Sequence, residues 1–150
     1  MRMMILALAA ALAATSAVAS DKTDVMAVVK QAVDDSNKGD MKAMAALCAA
    51  NTSIIDEFPP HAWQGPTACS DWSNDFDAYN KKNGITDGVV TLGKARHIDV
   101  SGDRAYVVIP AKFAYKQNGK PVVESGSIFT VALQKVAAGW RVTGFAWAEH

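Results

Sequence analysis

The spacing of apolar residues along this chain changes once, near Gly84. Before that point apolar positions recur three and four apart; after it they alternate. Val25, Val28, Val29, Ala32 and Val33 form one stripe of an amphipathic helix over residues 22–38, and Gly39 stands where a left-handed C-terminal cap belongs. Asp40 is then the N-cap of a second helix with Met41, Met44, Ala45, Leu47 and Cys48 on one face, a stripe more often core filler than a binding groove. Ser53-Ile54-Ile55 reads as a short strand, stopped by Pro59-Pro60, which has no N–H to give to a ladder. Gly65-Pro66 leads into a third helix whose Cys69, Trp72, Phe76 and Tyr79 fall three and four apart, and Asn83-Gly84 closes it.

Beyond residue 84 the alternation predicts four strands, over about 88–100, 104–116, 121–135 and 139–148. Ser101-Gly102-Asp103 and Gln117-Asn118-Gly119-Lys120 between them are hairpin signals, and Ala137-Ala138-Gly139 makes the last connection. Helices first and an antiparallel meander after predict an α+β fold: three N-terminal helices packed into a strongly curved antiparallel sheet.

The start of the chain changes this picture. Met1-Arg2 followed by the apolar run Ile5 to Ala14, with Ala17-Val18-Ala19 ahead of the polar Ser20-Asp21-Lys22, has the form of a secretory signal peptide over residues 1–19. The run is too short for a stable membrane span. Cleavage after Ala19 leaves 131 of the 150 residues, one domain over 20–150, destined for the periplasm or for secretion and free of the membrane. The whole chain carries 15 basic and 15 acidic residues. With no basic stripe, nothing directs it to nucleic acid.

Export also bears on Cys48 and Cys69. An oxidising compartment makes a disulfide between them available, closing a loop of about 20 residues; the alternative is two separate, small buried residues, one on each helix.

Helix, "NKGD" turn, helix, short strand, proline-rich bend with "WQG", helix, then four long strands resembles the nuclear transport factor two-like superfamily, in particular its SnoaL-like cyclases and ketosteroid isomerases. The resemblance spans the mature chain and implies a cone-shaped α+β barrel with a deep apolar cavity, commonly a homodimer, in a superfamily holding both enzymes and non-catalytic binding modules. Laid over the isomerases from Gly39-Asp40 to Gly65, it puts their general-base aspartate on Asp56. Their oxyanion-hole tyrosine falls on Ala32 and the assisting aspartate near Ser127, so steroid isomerisation is not implied.

Strand parity points Ile54, Asp56 and Phe58 to one face and Ile55 and Glu57 to the other. A carboxylate walled by Phe58, Trp63 and Trp72 is desolvated and titrates nearer neutrality, as a general base requires; the competing reading has Asp56 accepting backbone hydrogen bonds from the Pro59-Pro60 bend. His61 is the residue that would complete an Asp56–His61 dyad, or else a bend residue without a role. The inward aromatic face of the third helix, the proline-rich bend and strand parity together give a pocket of Phe58, Trp63, Trp72, Phe76, Tyr79, Phe113, Tyr115, Ser127, Phe129 and Trp147, an aromatic set that a packed core also explains. His61, His97 and His150 have no metal-ligand spacing, and no nucleotide loop or nucleophile elbow is present, so neither a metal nor a cofactor is implied. Three functions follow for test: an exported binder of a small apolar or amphipathic molecule; a cofactor-independent isomerase, cyclase or lyase with Asp56 as base, assisted by His61, Tyr115 or Ser127; and a purely structural assembly module.

Overall fold

The computed structural model describes the backbone of residues 5–149 and the side chains of residues 20–149. The side chains of residues 1–19, where the predicted leader and its cleavage at Ala19 fall, and the terminal His150 lie outside the described residues.

Helix α1 (Ile5–Asn37) presents Val25 and Val29 to the core, both fully buried, as the stripe predicts. Its last residue ties it to the sheet: the Asn37 amide oxygen accepts from the Val90 N–H and its Nδ2 donates to the Val90 carbonyl, each at 2.8 Å. Asp40 caps α2 (Met41–Ala46), its carboxylate accepting from the Ala43 N–H at 3.0 Å. This helix is shorter than the apolar stripe predicts. The Leu47 carbonyl is taken by the Val142 N–H at 2.9 Å, which draws the chain into the sheet, so that Cys48 opens β1 (Cys48–Ile55) and does not end a helix.

A four-residue strand, β2 (Ala62–Gly65), returns antiparallel to β1, with Trp63 opposite Ile54; it is too short for alternation to reveal. Helix α3 (Ala68–Asn83) follows and ends at Gly84 as expected. The strand predicted over 88–100 is two strands, β3 (Ile85–Leu92) and β4 (His97–Ser101), laid in succession along one edge of β5 (Arg104–Gln117). The gap between them faces Pro110, which has no N–H to give; its carbonyl accepts from the Gly93 N–H at 2.8 Å while the chain loops out and rejoins at Arg96. Asn118 and Gly119, at φ 50° and 80°, make the tight turn into β6 (Lys120–Val136), and β7 (Gly139–Ala148) completes the sheet.

The sheet order is β2-β1-β7-β6-β5-β3, with β4 also on β5. It is not wholly antiparallel: β1 runs parallel to β7, with Ser53 beside Gly144 and Ile55 beside Ala146. The strands approach so closely there that a Cβ on Gly144 would lie 2.8 Å from the Ser53 carbonyl oxygen. The sheet curves around the helices and does not close, and the core lies in the hollow between them. One cluster joins Val25 and Val29 of α1 to Val107, Ile109, Val131 and Leu133; a second joins Met44, Ile54, Phe58, Trp63 and Trp72.

Cys48 and Cys69 are joined in a disulfide, which pins the start of β1 to the start of α3. The bridge closes a loop with a sequence separation of 21, and a loop of that length is worth about 3 kcal/mol through the unfolded chain. The Cys48→Ala/Cys69→Ala variant is therefore expected to lose about 3 kcal/mol in urea unfolding relative to the oxidised protein. An unchanged midpoint would mean that the bridge adds nothing to stability.

Candidate functional site

Between the helices and the curved sheet lies a cavity of about 910 Å³. Helix α1 walls it with Val29, Ala32 and Val33, α2 with Met41 and Met44, and α3 with Trp72, Phe76 and Tyr79; from the sheet come Phe113, Phe129, Phe145 and Trp147. The rings pack on one another. Trp72 stacks on Phe76 at 5.3 Å, Phe145 meets Trp72 edge-on at 5.2 Å, and Phe129 lies 6.0 Å from Trp147. Phe58, buried under α3, holds Trp63, Phe76 and Tyr79 within 5.0 to 5.5 Å and sets the tilt of that wall.

Into this apolar space opens Asp56, at the first position beyond β1. One carboxylate oxygen accepts from the Trp72 indole N–H at 2.9 Å and the other from the Glu57 backbone N–H at 2.8 Å. Burial raises the Asp56 carboxyl above its ordinary range; the two hydrogen bonds and the nearby His61 oppose the rise, and the Glu124 charge adds to it. The bend supplies only one backbone donor to the carboxylate, and the chain's own N–H at Asp56 goes to the His61 carbonyl at 3.1 Å. Asp56 is thus held in place and still faces the cavity, an arrangement that lets it exchange a proton with a bound molecule.

Further carboxyls gather beside it. Glu57, expected on the outer face, lines the cavity, because strand pairing ends at Ile55 and alternation no longer governs the bend. Partial burial, then the charges of Glu124, Glu149 and Asp56, push its carboxyl up to about 7, and it shares a hydrogen bond with Glu149. Glu124 is raised by desolvation and by Glu149, against a hydrogen bond from Tyr115, whose hydroxyl is in turn pushed up to about 12, chiefly by burial. One Glu124 oxygen, Oε2, is buried without a hydrogen-bond partner.

Sequence reasoning missed Glu124 for a definite reason. Counting by twos back from Ser127 puts Val123 and Ser125 inward and Glu124 outward. A bulge at Gly126 intervenes, since Ala111 pairs with Ser127 but Lys112 pairs with Ser125; Glu124 therefore stands opposite Phe113 on the inner face, and Val123 is 59% exposed. A glycine within a strand pattern was the available signal.

Of the residues expected in the pocket, Phe58, Trp72, Phe76, Tyr79, Phe113, Tyr115, Phe129 and Trp147 line it, and so does Ala32, at the overlay's tyrosine position. Trp63 and Ser127 do not. Trp63 is buried behind Phe58 with its indole N–H on Asp75 at 2.8 Å, and Ser127 is fully buried with its hydroxyl unpartnered. His61 is exposed at φ 73°, and its Nδ1 lies 3.2 Å from the Asp56 backbone carbonyl rather than its carboxylate, so the expected dyad is not made. No group of three metal-ligating side chains occurs among the described residues.

A curved, unclosed sheet wrapped on N-terminal helices over a deep aromatic cavity defines the nuclear transport factor two-like class of α+β domains. Within it the chain belongs to the SnoaL-like domain family, whose model matches residues 25–144. No curated protein matches the chain. Among solved structures it is similar to an NTF2-like protein with a cystatin-like fold from Novosphingobium aromaticivorans, at 18% identity and TM-score 0.74 over 92% of this chain and 87% of that one. An NTF2-like superfamily protein from Salmonella enterica follows at 16% identity and TM-score 0.73, over 88% and 92% of the two chains. A ketosteroid isomerase-like protein from Erwinia carotovora matches at 16% identity and TM-score 0.65, over 85% and 94%. At such identities the likeness concerns the fold.

The crowded carboxyls make stability depend on pH. Folding lifts Glu57 from its ordinary 4.5 to about 7, so between those values the native state holds more protons than the unfolded chain, and stability falls as pH rises through that window. Asp56 and Glu124, also raised, act in the same direction. Thermal unfolding across this range is expected to show a falling Tm, flattened in Glu57→Gln; a Tm that rises with pH would contradict the arrangement of charges.

Proposed function

We propose that this chain binds a small, largely apolar molecule in the cavity, with the polar end of that molecule at Asp56. The observation that carries the reading is the cavity itself: about 910 Å³ with aromatic walls from both layers, and a desolvated carboxylate opening into it. A structural module with a filled core has no use for such a space. We further infer that the protein works outside the cytoplasm, on the leader-like start and the Cys48–Cys69 bridge, which suits an oxidising compartment. Among the described residues no helix is long and apolar enough to cross a membrane.

The neutral fluorophore N-phenyl-1-naphthylamine is expected to bind saturably, one per chain, and to quench tryptophan emission, since Trp72 and Trp147 line the cavity. Ala32→Trp, which fills the cavity from α1, weakens that binding about tenfold or more. Absence of saturable binding, or equal binding by the filled variant, would refute the reading.

A second reading is favoured by Asp56. Its raised carboxyl, fixed by the Trp72 indole, supports a reading in which it serves as general base in a cofactor-independent isomerase, cyclase or lyase. Its simplest measure is exchange of the acidic C–H protons of 2-tetralone in D₂O. Catalysed exchange that disappears in Asp56→Asn supports a base; exchange no faster than in buffer removes the catalytic reading and leaves the binding one.

A further inference from the structure

We infer that the cavity selects molecules with a cationic end, an aromatic or alkyl amine or a quaternary ammonium, and rejects anions. This deepens the proposed binding function and rests on it. Two independent features carry it.

The first is the balance of charge on the walls. The lining residues include five acidic side chains, Asp56, Glu57, Asp77, Asp87 and Glu124. Two are already neutralised: Asp77 pairs with Lys81 at 2.6 Å and Asp87 with Lys116 at 3.0 Å. Among the described residues no lysine or arginine pairs with Asp56, Glu57 or Glu124, His61 beside Asp56 is the base near them, and Glu149 adds a fourth carboxyl. Lys38, the other cation on the lining, is an exposed residue of the turn between α1 and α2 and makes no ion pair with them. The buried Oε2 of Glu124 still lacks a donor. Carboxyls held together in apolar surroundings without a counter-charge are stabilised by whatever cation the cavity admits.

The second feature is the wall itself. Trp72, Phe76, Phe113, Phe129 and Trp147 line the interior, and aromatic rings attract weakly hydrated organic cations. Simple metal binding would need oxygen ligands converging on one point, and no such group exists among the described residues. Rings and unpaired carboxyls in one cavity together fit a large, weakly hydrated cation with an apolar body.

Three probes of one shape separate the possibilities by isothermal titration of the oxidised protein at neutral pH: phenyltrimethylammonium, its uncharged isostere tert-butylbenzene, and benzoate. The ammonium is expected to bind on the order of tenfold or more tighter than the isostere, with benzoate weakest. Glu124→Gln and Glu57→Gln should each lower the ammonium affinity several-fold while the isostere, reporting an intact cavity, still binds. Equal affinity for ammonium and isostere, or preference for benzoate, would overturn the cation inference and leave the cavity reading standing. Binding of none of the three would overturn both.

Discussion

The site depends on β1 lying parallel against β7. Parallel pairing brings the C-terminal ends of both strands to the same edge of the cavity, so the chain leaves β1 as Asp56-Glu57 close to where β7 gives way to Glu149. Because β6 is antiparallel to β7, its first half reaches that same edge and delivers Glu124, and β5 brings Tyr115 beside it. Residues far apart in sequence thereby become neighbours at or just beyond the ends of paired strands. Glycine at 144 permits the close contact with the Ser53 carbonyl, and the Cys48–Cys69 bridge fixes the other end of β1 to the helix that supplies Trp72.

Within that frame two effects compete at Asp56. Removal from water favours the neutral acid, whereas the Trp72 indole and the Glu57 N–H favour the anion. The result is a carboxyl oriented by hydrogen bonds yet open to the cavity. The aromatic wall serves twice. It desolvates the acids, and its rings supply the apolar contact area that the proposed small-molecule ligand would bury.

Much of this was legible in the sequence. Periodicity located three helices and the long strands, since Val25, Val29, Trp72 and Ile109 obey their element's period wherever the core demands it. The features it missed share one cause: places where the backbone departs from its period. The bulge at Gly126 reversed the parity that hid Glu124, and the end of pairing at Ile55 turned Glu57 inward. Pro110 divided a strand that reads as continuous, and the Leu47 carbonyl's bond to Val142 shortened α2. Asp56 and the Trp72 beside it were legible from family resemblance and parity, whereas the carboxyls Glu57, Glu124 and Glu149 near it were not. Charge clusters built across strands are invisible until register is known.

The four indole N–H groups offer the most direct test of the account, because each sits in a different place. Trp72 donates to Asp56 and Trp147 lines the cavity, while Trp63 donates to Asp75 and Trp140 is buried in the other core cluster. In a ¹H–¹⁵N correlation spectrum titrated with N-phenyl-1-naphthylamine, the Trp72 and Trp147 indole signals are predicted to shift with saturation while those of Trp63 and Trp140 stay in place. Shifts confined to Trp63 and Trp140, or an unmoved Trp72, would contradict a ligand cavity centred on Asp56.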